Sequence, residues 1–363
     1  MSGESRNVVV GMSGGVDSSV AALLLKQQGW QVTGVMLKLW AEEGFSRDNQ
    51  CCSLESAENA RLIAAKIGIP FYLLDSSEPF YKQVVLPFME TYLAGNTPNP
   101  CIYCNPMVRW SMLMKFVDGL GGGFIATGHY AAIKKDDMGK VHLFRGFDSK
   151  KDQSYVLSRL SQLQLSRTIF PLSEIEKTET RQIAEKFNLP SAHKPDSQDI
   201  CFIGDGDYRG FLMRNCADRI HPGNIVDESG KVLGVHKGLP FYTIGQRKGI
   251  CVAAEEPLYV IAKRLETNEL VVGKHADLHY NRVFAEKVNW IQDEPPAKSF
   301  IADIQFRYKS KARKAEITVL PNSEIEILLN DDWNDAALGQ TACLYTNSGE
   351  VLGSGIVSGT EEK

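Results

Sequence analysis

Three stretches of this 363-residue chain carry side chains that could do chemistry. The first is Gly11-Met12-Ser13-Gly14-Gly15-Val16-Asp17-Ser18-Ser19, which follows an apolar run and opens a helical pattern. In that arrangement backbone N–H groups and the helix dipole bind phosphate. Gly14 and Gly15 allow positive φ and a close approach to an anion, while Ser13, Ser18 and Ser19 add hydroxyl donors. The stretch has no Lys to make it a Walker loop, and it does not match G-x-G-x-x-G. Asp17 would repel phosphate unless Mg²⁺ lies between them. The second stretch, Thr97-Pro98-Asn99-Pro100-Cys101-Ile102-Tyr103-Cys104-Asn105, contains a Cys-x-x-Cys, a spacing that occurs in metal sites and in redox loops. The third, Ser197-Gln198-Asp199-Ile200-Cys201-Phe202-Ile203-Gly204, adds another cysteine. The eight cysteines are spaced irregularly, unlike a small secreted disulfide scaffold, so metal or catalytic thiols in a reducing compartment are expected.

These residues need elements to hold them. Residues 8–10, 31–37, 71–74 and 124–127 read as strands, and 18–28, 53–67 and 107–117 as helices between them. Strands separated by helices predict a doubly wound parallel sheet, with ligands at the carboxyl ends of its strands. After about Gly204 the texture changes. Residues 224–227 and 231–236 flank Glu228-Ser229-Gly230 at hairpin spacing, and 258–262 and 270–273 flank another turn. Asp293-Glu294-Pro295-Pro296 reads as a linker or turn into a last domain, where Phe300, Ala302, Ile304, Phe306 and Tyr308 recur with period two. The expected order is therefore an α/β domain (1–206), a small β-rich central domain (207–281) and a C-terminal β-barrel (282–363). Composition is that of a globular protein, with 43% hydrophobic and 23% charged residues, which excludes coiled coils and collagen-like fibres. No apolar run reaches the ~20 residues of a membrane span and no signal peptide is written, so a cytoplasmic protein is expected. The net charge of −4 hides a basic segment with five Lys/Arg and no acid between Arg307 and Lys314.

The glycine-rich loop resembles the signature of ATP pyrophosphatases, which cleave ATP to AMP and pyrophosphate. The cysteine stretches, together with Ala126-Thr127-Gly128-His129-Tyr130, Lys151-Asp152-Gln153-Ser154-Tyr155 and Gly245-Gln246-Arg247-Lys248-Gly249, resemble the tRNA-specific 2-thiouridylase family over nearly the whole chain. The resemblance implies ATP with Mg²⁺ bound by Gly11, Met12, Ser13, Gly14, Gly15, Val16, Asp17, Ser18, Leu37 and Gly128. It also implies adenylation of the wobble uridine's C2 oxygen, then sulfur transfer. Replacing that oxygen by sulfur needs a nucleophile stronger than a neutral thiol, such as a persulfide, and a second cysteine can resolve the product as a disulfide. By resemblance Cys201 carries the persulfide and Cys104 frees its sulfur. The family pattern has Asp where this chain has Cys101. Two readings stay open: Cys101 replaces the Asp, or Cys101, Cys104 and Cys201 hold a [4Fe–4S] cluster.

The resemblance further places Asn99, Pro100 and Cys101 near the target base. It assigns His129, Lys151, Asp152, Gln153, Arg307, Tyr308 and Gln340 to tRNA contact. Arg307 and Tyr308 point to opposite faces of a regular strand, so both reach RNA only at a strand end or bulge. Lys309, Lys311, Arg313 and Lys314 extend the basic patch. Implied partners are tRNAs (Lys, Glu and Gln acceptors) and a persulfide donor such as a cysteine desulfurase or sulfur-relay protein. Cys51, Cys52, Cys216, Cys251 and Cys343 are expected to be structural.

Overall fold

The computed structural model describes residues 6–42, 44, 54–196, 200–278, 280–333 and 336–361. Cys51, Cys52 and Ser197-Gln198-Asp199 lie outside the described residues. The first domain is built on β1 (Asn7–Gly11), β2 (Gln31–Lys38), β3 (Phe71–Asp75) and β4 (Phe124–Thr127). A hairpin of β5 (Ala131–Lys135) and β6 (Val141–Arg145), absent from the sequence expectation, precedes the short β7 (Thr168–Ile169). The sheet is ordered β3-β2-β1-β4-β7, with every pair parallel. Val8, Val9 and Val10 are buried on both faces, which is why β1 reads as an unbroken apolar run. Helices α1 (Val16–Gln27) and α2 (Leu54–Ile67) bring Ala22, Leu25, Ala60, Ile63 and Ala64 against Val8 and Val10. The helix Ser111–Gly119 covers the opposite face through Leu113 and Val117, packed with Val9 and Val35. The sheet is therefore doubly wound. Its order reverses at β1/β4, where such sheets bind ligands.

The helix expected over 107–117 is two pieces, a π-helical turn (Asn105–Trp110) followed by α-helix (Ser111–Gly119). Pro106 supplies no amide hydrogen, so a regular α ladder cannot run through this segment, and π turns of this kind favour functional sites. The central sheet comprises β8 (Gly223–Val226), β9 (Val232–His236), β10 (Tyr259–Arg264) and β11 (Glu269–Gly273), ordered β10-β11-β8-β9. Its Phe241, Val260 and Leu270 share one core with Phe80, Phe88, Phe202 and Phe211 of the first domain.

The remaining strands are β12 (Tyr280–Trp290), β13 (Ser299–Gln305), β14 (Arg313–Leu320), β15 (Glu324–Trp333), β16 (Thr341–Tyr345) and β17 (Val351–Glu361). They close as β12-β15-β14-β13-β16-β17. Because β12 already belongs to the barrel, Asp293-Glu294-Pro295-Pro296 is not a linker into it but the connection between β12 and β13. The strand expected to run through Tyr308 stops at Gln305. There the buried Gln305 amide donates to the Arg307 and Tyr308 carbonyls and turns the chain away. Arg307 and Tyr308 thus lie past a strand end. Cys216 and Cys343 are buried, whereas Cys251 is exposed and is not a core residue. Among the described residues no helix is long and apolar enough to cross a membrane.

Candidate active site

The glycine-rich loop leaves β1 and enters α1 at the order reversal. Gly14 takes φ +71°, and a Cβ there would meet the Ser56 carbonyl oxygen at 2.7 Å. Gly15, by contrast, is extended (φ −91°) and forms the N-cap of α1 with no side-chain cap. The first amides of α1 thus have no competing side-chain acceptor at the cap. Ser18 turns back onto the loop: its Oγ accepts from the Ser13 amide (3.2 Å) and donates to the Gly15 carbonyl (3.2 Å). Ser19 donates to the same carbonyl at 2.7 Å and accepts from Ser191, so it braces the loop from beneath. Gly128, just past β4, approaches so closely that a Cβ would lie 2.5 Å from the Ser18 nitrogen. Gly11, Met12, Ser13, Asp17, Ser18, Leu37 and Gly128 line one cavity with Arg109, His129 and Gln153. That cavity brings together seven of the ten residues expected to bind nucleotide.

Asp17 is held differently from the expectation of a bridging metal. Lys177 donates to both of its carboxylate oxygens (2.6 and 2.7 Å), and the Tyr130 hydroxyl donates to Oδ1 (2.8 Å). Lys177 also pairs with Asp196 at 2.9 Å, which in turn meets Lys151 (2.7 Å) and Arg181 (2.8 Å). Burial opposes ionisation of Asp196, but hydrogen bonds from Lys151 and Lys177 hold its carboxyl down at about 2. Two carboxylates therefore face three cations, an excess of positive charge beside the loop that suits a polyphosphate. Lys177, Arg181, Asp196 and Arg109 were missed in the sequence. Lys177 stands 160 residues from Asp17, and no local pattern marks it.

Cys101–Cys104 forms one helical turn rather than an open loop, with the Asn99 side-chain oxygen accepting from the Cys101 amide at 3.1 Å. Cys101 has an exposed surface, while Cys104 is buried. Desolvation pushes the Cys101 thiol up, and the Arg109 guanidinium works against that rise. Cys104 and the half-buried Cys201 belong to the same apolar cluster. Among the described residues no group of three or more His, Cys, Asp or Glu is assembled to hold a metal ion. The proposed Cys101/Cys104/Cys201 ligand set is not gathered, and no cage of carboxylates surrounds a Mg²⁺ position. His129 is 8% exposed; its Nδ1 shares a hydrogen bond of 2.8 Å with the Thr127 hydroxyl. Burial, reinforced by the Arg109 charge, drives its pKa down to about 3, so the imidazole is neutral.

The residues expected to contact tRNA divide into two groups. Lys151 pairs with Asp196, and Gln153 accepts from the Tyr130 amide and lines the nucleotide cavity. The Asp152 carboxylate binds Arg145, the Gly146 and Ser154 amides and the Ser154 hydroxyl. It anchors the β5–β6 hairpin and presents no exposed charge. In the barrel, Tyr308 packs 6.2 Å from the Tyr155 ring. Partial desolvation raises its phenol to about 12, with Asp152 and Cys101 adding to the rise, although its surface remains exposed. Arg307, Lys311, Arg313 and Lys314 are exposed. The Gln340 side chain does not face outward but donates to the carbonyls of Thr97 (3.1 Å) and Pro98 (3.4 Å).

The chain matches three family models in succession: a tRNA methyl transferase HUP domain over residues 6–205, a tRNA methyl transferase PRC-barrel domain over 209–274, and an aminomethyltransferase beta-barrel domain over 281–357. It is 42% identical to the tRNA-specific 2-thiouridylase MnmA of Carboxydothermus hydrogenoformans over 360 residues, covering 97% of each chain. It is 41% identical to the protein of the same name from Chloroflexus aggregans, covering 98% of this chain and 99% of that one. A solved structure of the U34-tRNA thiolase NcsA from Methanococcus maripaludis with its [4Fe–4S] cluster covers 60% of this chain and 68% of its own, at 20% identity and a TM-score of 0.35. That likeness is too slight to bear on ligands. A glycine-rich loop at the order reversal of the sheet, two cysteines in one cluster and near-complete matches to named relatives converge, and the chain belongs to the tRNA-specific 2-thiouridylase family.

Proposed function

We infer that this protein is a tRNA uridine 2-sulfurtransferase, which uses ATP to replace the C2 oxygen of the wobble uridine by sulfur. The observation that carries this reading is a cavity lined by the glycine-rich loop, Leu37 and Leu39, next to an apolar cluster that also holds Leu37 and Leu39 together with Cys104 and Cys201. Methyl transfer, the chemistry named in two of the matching model descriptions, leaves both features without work. In the first step the uridine C2 oxygen attacks the α-phosphorus of ATP. The new O–P bond forms, the bridging bond to the β-phosphate breaks, and pyrophosphate leaves. The loop amides, Lys177 and Arg109 lie where they can stabilise the charge that moves onto the phosphates. Mg²⁺ would be held chiefly by the triphosphate itself, because the Asp17 oxygens already accept from Lys177 and Tyr130. In the second step Cys104 attacks the sulfur of a Cys201 persulfide and forms a Cys104–Cys201 disulfide. The expelled sulfide adds at C2, the C2–O bond breaks and AMP leaves with the oxygen. An external thiol must then reduce the disulfide before the next cycle.

Single-stranded anticodon loops release a base cheaply, which suits a buried reaction centre. We assign tRNA binding to the barrel (282–363), catalysis to residues 1–206, and the linking role to 207–281. The Lys, Glu and Gln acceptors as substrates, and a cysteine desulfurase or sulfur-relay protein as donor, follow the family resemblance. Cys201→Ala should abolish thiolation while leaving tRNA-dependent pyrophosphate release. Thiolation that survives this change removes Cys201 as sulfur carrier. Iron and acid-labile sulfide measured after anaerobic purification test the cluster alternative directly: about four of each per chain, lost in Cys101→Ala, would replace the persulfide route.

A further inference from the structure

Residues 95–100 lead into the cysteine turn and are gripped by both other domains. From the central domain, the Lys263 ammonium donates to the Gly95 carbonyl at 2.6 Å, and the Thr243 hydroxyl lies 3.2 Å from that of Thr97. From the barrel, the Leu338 carbonyl accepts the Thr97 amide at 2.8 Å. Gly339 takes φ +85°, and a Cβ there would lie 3.0 Å from Asn96 and 3.1 Å from the Thr97 oxygen, so the barrel backbone packs directly on the segment. The Gln340 amide then donates to the Thr97 and Pro98 carbonyls. Immediately beyond, the Pro100 carbonyl accepts the Cys104 amide at 2.9 Å. Hydrogen bonds from the barrel thus hold Thr97 and Pro98, two residues before the Pro100 carbonyl that caps the Cys104 amide.

We propose that Gln340 is a positioning residue for sulfur transfer: it fixes Thr97 and Pro98, and through them the turn that presents Asn99, Cys101 and Cys104. The proposal rests on the reading above that this turn serves the reaction centre. It differs from the tRNA contact that family resemblance implies, because an amide committed to two protein carbonyls has only its oxygen left for RNA. The Thr97 and Pro98 carbonyls, in a half-buried loop, need a donor, and Gln340 supplies it.

Gln340→Met keeps the side-chain volume and removes the donors. In the full-length protein without tRNA, alkylation of the buried Cys104 by iodoacetamide, followed by mass spectrometry, should accelerate about tenfold, the worth of one to two hydrogen bonds. Hydrogen exchange at the Thr97 amide should rise in parallel. Thiolation kcat should fall by a similar factor, with tRNA Kd within twofold of wild type. The opposite pattern, a tenfold weaker Kd with unchanged Cys104 alkylation and kcat, would make Gln340 an RNA contact and overturn the proposal. Asn99→Ala tests the underlying reading separately. Lost thiolation with tRNA-dependent pyrophosphate release retained supports it, and full thiolation overturns it whatever Gln340 does to Cys104.

Discussion

The neutral, buried His129 gives the sharpest quantitative test. Its folded pKa is about 3 and its unfolded value 6.5, so between those values the unfolded chain binds the additional proton. Stability from this group is therefore complete above pH 6.5 and is lost as the pH falls through the window. Moving from pH 7 to pH 5 should cost about 2 kcal/mol through this residue alone, a large part of a typical folding free energy. His129→Asn removes the titrating group and keeps a polar atom near the Thr127 hydroxyl. Urea unfolding of both proteins at pH 5, 6 and 7 measures the difference. The variant should lose about 2 kcal/mol less than wild type between pH 7 and pH 5. His142, whose pKa is raised by its hydrogen bond to Glu350, acts with the opposite sign but in both proteins, and cancels in the comparison. Equal losses in the two proteins would show that His129 titrates normally and is not desolvated in the cleft. A second consequence concerns catalysis: the pH–rate profile should show no limb near 6.5 from this imidazole.

Other perturbations follow from the same geometry. Lys177→Met leaves Asp17 and Asp196 facing each other without their shared cation. It should destabilise the fold by about 3–5 kcal/mol and suppress tRNA-dependent pyrophosphate release, which an enzymatic phosphate assay measures. The Lys311/Arg313/Lys314 triple Ala variant should bind all substrate tRNAs more weakly and with a shallower salt dependence. An unchanged slope in filter binding would remove this patch from the interface. Lys263 is desolvated, and its pKa falls to about 8, so the unfolded state holds the extra proton up to 10.5. Wild-type stability from this group thus rises with pH from 8 to 10.5, and any advantage of Lys263→Met measured at pH 7 should shrink across that window.

The parts legible in the sequence were those written locally. The phosphate loop lies in nine consecutive residues between a strand and a helix, and the parallel sheet announces itself through apolar runs such as Val8–Val10. What escaped was written across the chain. The cation that pairs with Asp17 is Lys177, held in turn with Lys151 and Arg181 by Asp196, and their relation to the loop exists only after folding. Strand β12 was missed because its pairing with β17 shifts register twice, at Phe284/Ala285 and Glu286/Asn289, which breaks the alternation a half-buried strand should display. The end of β13 was overrun because Phe306 and Tyr308 continue the apolar period after Gln305 has already turned the backbone. The cysteine residues were found, but not their setting, since neither the helical turn nor the burial of Cys104 follows from a Cys-x-x-Cys.

The bond between Thr97 and Leu338 has a further meaning for how the molecule comes into being. Gly339 and Gln340, the two residues that follow Leu338, exchange backbone hydrogen bonds with Val357 of the last strand (2.9 and 2.8 Å). During synthesis the nucleotide-binding half emerges first and can fold as a unit, but the segment before its cysteines must wait for a strand made more than two hundred residues later. Contacts of such long range form late. A nascent chain can therefore hold ATP before its cysteine turn is set, which separates in time the acquisition of nucleotide binding from the acquisition of sulfur transfer.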